Sequence, residues 1–241
     1  MKIKILYEDK NVLVIDKPSG ISVHPDLRSK EKTISDWFLK NYPKSKDVGE
    51  SLFVGDNEEN KKEIKKSGIV HRLDKETSGV LLLVKNQKAY EFLKKQFQER
   101  EIKKTYHAIV LGIVKKDSDT IDKPIGRSPK DFRRWLAGRG ARGELRDAMT
   151  KYKKIKSFSQ GKNQFTYLEV YPKTGRTHQI RVHMKYINHP VVCDSLYDPD
   201  GVCPKDFKRL ALHAKSIEFK NLKGENIKVE SPLPKEFANV L

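Results

Sequence analysis

Hydrophobic residues along this chain fall into short blocks, and the polar residues between them set the period of each block. Residues 3–7 and 11–16 flank the polar Glu8-Asp9-Lys10, which predicts two short strands around a turn, the second closed by Lys17-Pro18-Ser19-Gly20. Val80-Leu81-Leu82-Leu83-Val84 follows the turn signal Thr77-Ser78-Gly79 and is the right length for a buried strand. Thr33 or Ser35 is placed to cap a helix through Trp37, Phe38 and Leu39. Residues 41–66 then turn charged and loop-like, with 56–62 at their centre, and are expected to be mobile. Over 87–100, Tyr90, Leu93 and Phe97 make the stripe of an amphipathic helix. Residues 104–111 read as a strand with Tyr106, Ala108 and Val110 on one face, and 165–171 alternate in the same way. Ile180, Met184 and Ile187 predict a short helix within 177–188, ending before His189-Pro190, with Arg181 near its start. Strands and helices are interspersed without regular alternation. That favours an α+β fold, a mixed and largely antiparallel central sheet flanked by helices and loops, in a single domain over residues 1–241.

Charge narrows the partners. Fifty Lys and Arg against 32 Asp and Glu give a formal net charge of +18 over 241 residues, a field that calls for a polyanion, with nucleic acid ahead of an anionic membrane surface. No apolar run approaches the roughly 18 to 20 residues of a spanning helix, and the start of the chain does not read as a signal peptide. Cys193 and Cys203 are too few and too far apart for a disulfide framework or a paired zinc site, and are expected to pack as small apolar groups. These features point to a cytoplasmic protein and a monomer.

The chemistry concentrates in 71–79, where the carboxylate of Asp74 sits among cations and the chain then stops at a turn. Taken alone, the segment also fits a surface loop whose Asp74 pairs with Arg72 or Lys75. Two other segments change its weight: Tyr106 on the strand that begins at Lys104, and Arg181 in the Thr174-to-Met184 stretch. Together the three resemble, in order, the HRLDxxTSG, KxYxA and TGRTHQIRVHM motifs of the RluA-type RNA pseudouridine synthases. Residues 11–20 and 209–214 are similar to that family too, so the resemblance covers nearly the whole chain, as a catalytic domain without the S4 RNA-binding domain that many relatives carry.

The resemblance implies a reaction and gives roles to residues. Uridine becomes pseudouridine when the N1–C1′ bond breaks, the uracil turns, and its C5 joins the same sugar carbon. No atom or redox equivalent enters or leaves, so no cofactor and no metal are implied. The family's carboxylate corresponds to Asp74, acting at the sugar either on C1′ or on the C2′ proton. Arg181 matches the cation that keeps it charged and oriented. Tyr106 matches the tyrosine that stacks on the target base, and Arg72 the arginine that fills the space left by a uridine flipped out of the RNA. A phosphate clamp is the competing role for Arg72.

Between 123 and 154 the chain carries eleven Lys or Arg against three Asp or Glu, interleaved with Phe132, Trp135 and Tyr152. This reads as an RNA-gripping loop whose Arg133, Arg134, Arg139 and Arg142 meet phosphates, with Arg176 and His178 added from the third motif. The alternative is a solvated basic hairpin. Its Gly138-to-Gly143 GxGxxG follows no apolar run that reads as a strand, and is not expected to be a dinucleotide site. His178 and His183 stand five apart, wrong for joint metal ligation, and His71 and His213 are expected to serve structure. The expected partner is transfer or ribosomal RNA. A noncatalytic RNA-binding or ribosome-assembly protein is the rival, although pure binding has no need for Asp74, Tyr106 and Arg181 together.

Overall fold

The structure, a computed structural model, describes residues 1–25, 31–54, 62–138, 140–205 and 207–239. In chain order the elements are β1 (Lys4–Glu8), β2 (Val12–Lys17), α1 (Ile34–Asn41), β3 (Ser51–Val54), β4 (Lys62–Lys65), β5 (Ser78–Val84) and α2 (Gln87–Gln98). There follow β6 (Lys103–Leu111), β7 (Ser118–Asp122), β8 (Ile125–Arg127), β9 (Trp135–Ala137), β10 (Arg142–Arg146), β11 (Met149–Gln160) and β12 (Asn163–Pro172). The chain ends with α3 (Gln179–Tyr186), β13 (Leu212–Lys220), β14 (Asn226–Glu230) and α4 (Lys235–Ala238). The fold is α+β, and the strand registers it shows are antiparallel. Among the described residues no helix is long and apolar enough to cross a membrane.

Two compact units divide the chain, residues 1–102 with 217–231 and residues 103–216 with 232–241, so that the boundary falls inside β13. In the first unit β2 lies between β1 and β5, in register from Val12 opposite Val84 to Lys17 opposite Gly79. Every residue of β5 is buried, as its unbroken apolar run predicts. Asn86 caps α2 by accepting from the Ala89 N–H at 3.0 Å, and the helix buries Tyr90 and Leu93 with Phe97 packed beside them. Thr33, not Ser35, caps α1, in a reciprocal box with Asp36.

Residues 41–66 depart from expectation. Residues 51–54 and 62–65 form β3 and β4, paired antiparallel from Ser51 opposite Lys65 to Val54 opposite Lys62, and a 3-10 turn at Pro43–Ser45 precedes them. Four residues each, set among charges, these runs are too short to carry a readable period. The central residues 55–61 lie outside the described residues.

In the second unit β6, β12, β11 and β7 lie side by side, with Tyr106 opposite Val170 and Thr150 opposite Pro172. Their buried face is continuous with Ile180 and Met184 of α3 and with Phe237 of α4. The basic segment is not a loop. Its β10, β8 and β9 make a separate three-stranded sheet, because Ile125, Ala137 and Ala148 bury together against Val182 of α3 and Tyr197.

His213 lies buried on β13, and burial first, then the Arg209 charge, pushes its pKa down to about 3. His24 in the first unit is pushed down to about 4 by burial and then by Arg72. Both are neutral in the native state, while the unfolded chain takes up protons below about pH 6.5. Their contribution is therefore full above that pH and is lost as pH falls toward 4. Thermal melts between pH 7.5 and 4 should show His213→Gln losing less melting temperature across that window than the wild type, a difference on the order of 2 kcal/mol at pH 4. Parallel curves for the two proteins would remove His213 from the account.

Candidate active site

Asp74 occupies the turn that leads into β5, and this turn is tied down from below. Lys17, at the end of β2, is fully buried, and its ammonium donates to the carbonyl oxygens of Pro18, Ile21 and Lys75 at 2.8, 2.8 and 2.9 Å. Gly20 N–H donates to the same Lys75 oxygen at 2.9 Å, and the Ser19 hydroxyl to Glu76 O at 2.6 Å. Thr77 N–H closes the turn on Asp74 O at 3.1 Å, and Gly79, at φ +109°, takes a backbone that other residues rarely adopt. Leu73 is buried before it, so the backbone on both sides of Asp74 is fixed while its own side chain stays half-buried. Lys75 pairs with Glu31 at 2.7 Å. Arg72 is exposed, and His71 accepts from the Leu82 N–H at 2.9 Å while stacking on Phe97, the structural role expected of it.

Arg181 and Tyr106 belong to the second unit. Arg181 is the third residue of α3, nearly fully buried, with Nε and one terminal nitrogen each donating to Asp194 at 2.7 Å. This two-pronged geometry matches a guanidinium to a carboxylate and leaves little rotational freedom. Asp194 is itself held by the N–H groups of Leu196 and Tyr197, both at 3.0 Å, and the guanidinium lies 5.0 Å from the Tyr197 ring centre. Gln179 fixes the approach to α3. Its amide nitrogen donates to Met149 O and Thr150 Oγ1, and its oxygen accepts from the Thr174 hydroxyl and Arg176 N–H. Tyr106 is half-buried on β6 and packs at the edge of the second unit's core.

The residues expected to hold RNA fall into distinct settings. His178 Nδ1 is 3.0 Å from Tyr197 Oη, an oxygen that also accepts from the Trp135 N–H at 3.0 Å, so this histidine joins α3 to the small sheet. His183 is fully buried between Thr150 Oγ1 and Lys123 O, which agrees with a hydrogen-bonding role. Arg133 and Arg134 converge on Asp131, whose carboxyl is lowered to about 2 chiefly by the Arg133 hydrogen bond. Arg142 is exposed on β10 opposite Arg127, and Arg127 stacks 4.4 Å from the Trp135 ring centre. Phe132 is 67% exposed. Arg176 is exposed and donates to Asp147 O at 2.9 Å. Arg139 lies outside the described residues.

Sequence reading passed over Lys17, Asp194 and Gln179. A lysine that ends an apolar strand and meets a Pro-Ser-Gly turn is a usable signal, because such a turn leaves carbonyls outside the ladder. Asp194 carried no local signal. Cys193 and Cys203 also differ from expectation, being joined as a disulfide with Cα atoms 5.2 Å apart, since turns at Asp198 and Gly201 fold the intervening chain back. Lys17→Met keeps the length of the side chain and removes its three hydrogen bonds, so it should destabilise the protein by about 2–4 kcal/mol and lower turnover more than RNA affinity. Chemical denaturation with a single-turnover assay checks both, and an unchanged stability would refute the tie.

Comparison with known proteins bears on what these settings are for. A family profile described as RNA pseudouridylate synthase matches residues 11–186. A Bacillus subtilis protein named as an uncharacterized RNA pseudouridine synthase is 35% identical over 242 residues, covering 100% of this chain and 72% of its own. Ribosomal large subunit pseudouridine synthase D of Xanthomonas campestris is 35% identical, covering 99% of this chain and 68% of its own. Among solved structures, human RNA pseudouridylate synthase domain containing 1 shares the fold at a TM-score of 0.72 and 24% identity, over 97% of this chain and 84% of that one. With the profile and relatives that span the chain agreeing on one reaction, this protein belongs to the RluA-type RNA pseudouridylate synthases, isomerases that rearrange uridine into pseudouridine.

Proposed function

We propose that this chain isomerises specific uridines in structured ribosomal RNA, with Asp74 as the carboxylate that acts at the sugar. The observation that carries the reading is the setting of Asp74, whose neighbouring backbone is fixed by the buried Lys17 while its side chain stays half-buried. A group that must meet C1′ or the C2′ proton gains most from a fixed backbone and a reachable side chain. Ribosomal RNA as the target is supported by the names of the Xanthomonas campestris and Pseudomonas aeruginosa relatives, both ribosomal large subunit pseudouridine synthase D.

Three further roles complete the reading. Arg181 takes the part of the family's cation, and Asp194 holds it in one orientation within the second unit. Tyr106 stacks on the target base. A paired uridine must leave its helix at a cost of a few kcal/mol, and the exposed Arg72 is placed in the Asp74 turn to fill the gap. Carbon, nitrogen and electrons balance within the substrate, so the reaction draws on no cofactor.

RNA is gripped by the β8–β9–β10 sheet. Its arginines, the Arg127–Trp135 stack and the exposed Phe132 combine phosphate neutralisation with surfaces for unpaired bases. A cleft of about 350 Å³ beside Lys130, Asp131, Arg134 and Leu136 adds room for one.

Asp74→Asn should abolish pseudouridine formation in a ribosomal RNA transcript while RNA affinity stays within a few-fold. A variant that isomerises uridine at the wild-type rate would remove Asp74 from the chemistry. Replacing Arg133, Arg134 and Arg142 together by Ala should weaken binding and flatten the plot of log affinity against log salt by about 2 to 3, roughly 0.7 to 0.9 for each of three phosphate contacts. An unchanged slope would return that sheet to ordinary solvated surface.

A further inference from the structure

Lys104 stands two residues before Tyr106 on β6, so the strand's period of two sends both side chains to one face. Its ammonium reaches the 173–177 loop that joins β12 to α3. There it donates to the Thr174 carbonyl oxygen at 3.4 Å, and it lies 3.7 Å from where a Cβ on Gly175 would stand. Burial pushes its pKa down to about 8, and no opposing charge raises it. Among the described residues, no carboxylate pairs with it.

The contrast with Lys17 makes the imbalance concrete. Lys17 is fully buried and has three carbonyl oxygens within 2.9 Å, whereas Lys104 is half-buried along its side chain and has one at 3.4 Å. A desolvated cation so weakly compensated is costly unless an anion arrives from outside. Gly175 offers no side chain to cover it, and the same loop presents the exposed cations of Lys173 and Arg176. Arg176 is positioned by its bonds to Asp147 O and Gln179 Oε1. Fixed cations of this kind, with no acidic side chain among residues 173–177, suit a singly charged tetrahedral group.

We propose that Lys104, together with Arg176 and the 173–177 loop, forms a subsite for one phosphodiester of the RNA beside the nucleotide that Tyr106 faces. The inference rests on the reading of Tyr106 as the base-stacking residue. Such a contact sets the register of the RNA and carries no sequence information, which separates it from the stacking surfaces of the small sheet.

The test measures affinity for a ribosomal RNA transcript from 50 to 300 mM salt, with Asp74→Asn as the background so that no turnover occurs. Lys104→Met should weaken binding three- to tenfold at low salt and reduce the salt slope by about 0.7 to 0.9, one phosphate contact. Lys104→Arg should restore the slope. Because a weakly compensated charge is gone, Lys104→Met should melt no lower than its parent, and Lys104→Gln provides a second neutral form should Met disturb the strand. A folded neutral variant with the full salt slope overturns the proposal. Should Asp74→Asn prove active instead, the assignment of the chemistry fails, while the slope still reports on Lys104.

Discussion

The buried ammonium of Lys17 is the constraint on which the Asp74 turn of the first unit depends. A turn presenting a carboxylate has carbonyls that no strand partner can satisfy, and water cannot reach those beneath it. One lysine from the adjoining strand end collects three of them, and so joins the 17–21 turn to the 74–77 turn. Antiparallel pairing of β2 with β5 brings the two turns to the same end of the strands, with Lys17 opposite Gly79. The local precision of Asp74 is thus a product of strand register and one desolvated charge.

The second unit solves the converse problem, that of fixing a cation. Asp194 neutralises Arg181, two backbone N–H groups satisfy Asp194, and Tyr197 lies beside the guanidinium. Removing one partner from such a buried pair leaves the other uncompensated, at a cost of about 3–5 kcal/mol. Through its hydroxyl, Tyr197 also joins His178 at the start of α3 to Trp135 of the basic sheet. The basic sheet and the arginine are therefore braced by one side chain, which makes the sheet a fixed platform in place of the loop that its composition suggests.

Legibility followed the range of the forces involved. Elements set by local periodicity were readable: the wholly buried β5, the Tyr90 and Leu93 stripe of α2, and α3 with Arg181 in its first turn. The β3–β4 hairpin was not, because its two runs are short and set among charges. Nor was the small sheet, whose strands of three to five residues earn their burial only against Val182 and Tyr197. Asp74 stood out because it is an anion among cations. Asp194 did not, because an aspartate thirteen residues beyond Arg181 looks like any surface acid until the chain folds back.

By itself the sequence determined the α+β character, the family through three ordered motifs, and the strongly basic balance that favours a polyanionic partner. Those properties depend on residue type, spacing and total charge, all of which are present in the unfolded chain. Tertiary structure alone decided that Lys17 lies beneath the Asp74 turn, that Asp194 claims Arg181, and that Cys193 meets Cys203. Each of those is a contact between side chains or turns distant along the chain, and its worth comes from desolvation, which exists only once the surrounding residues have closed over it.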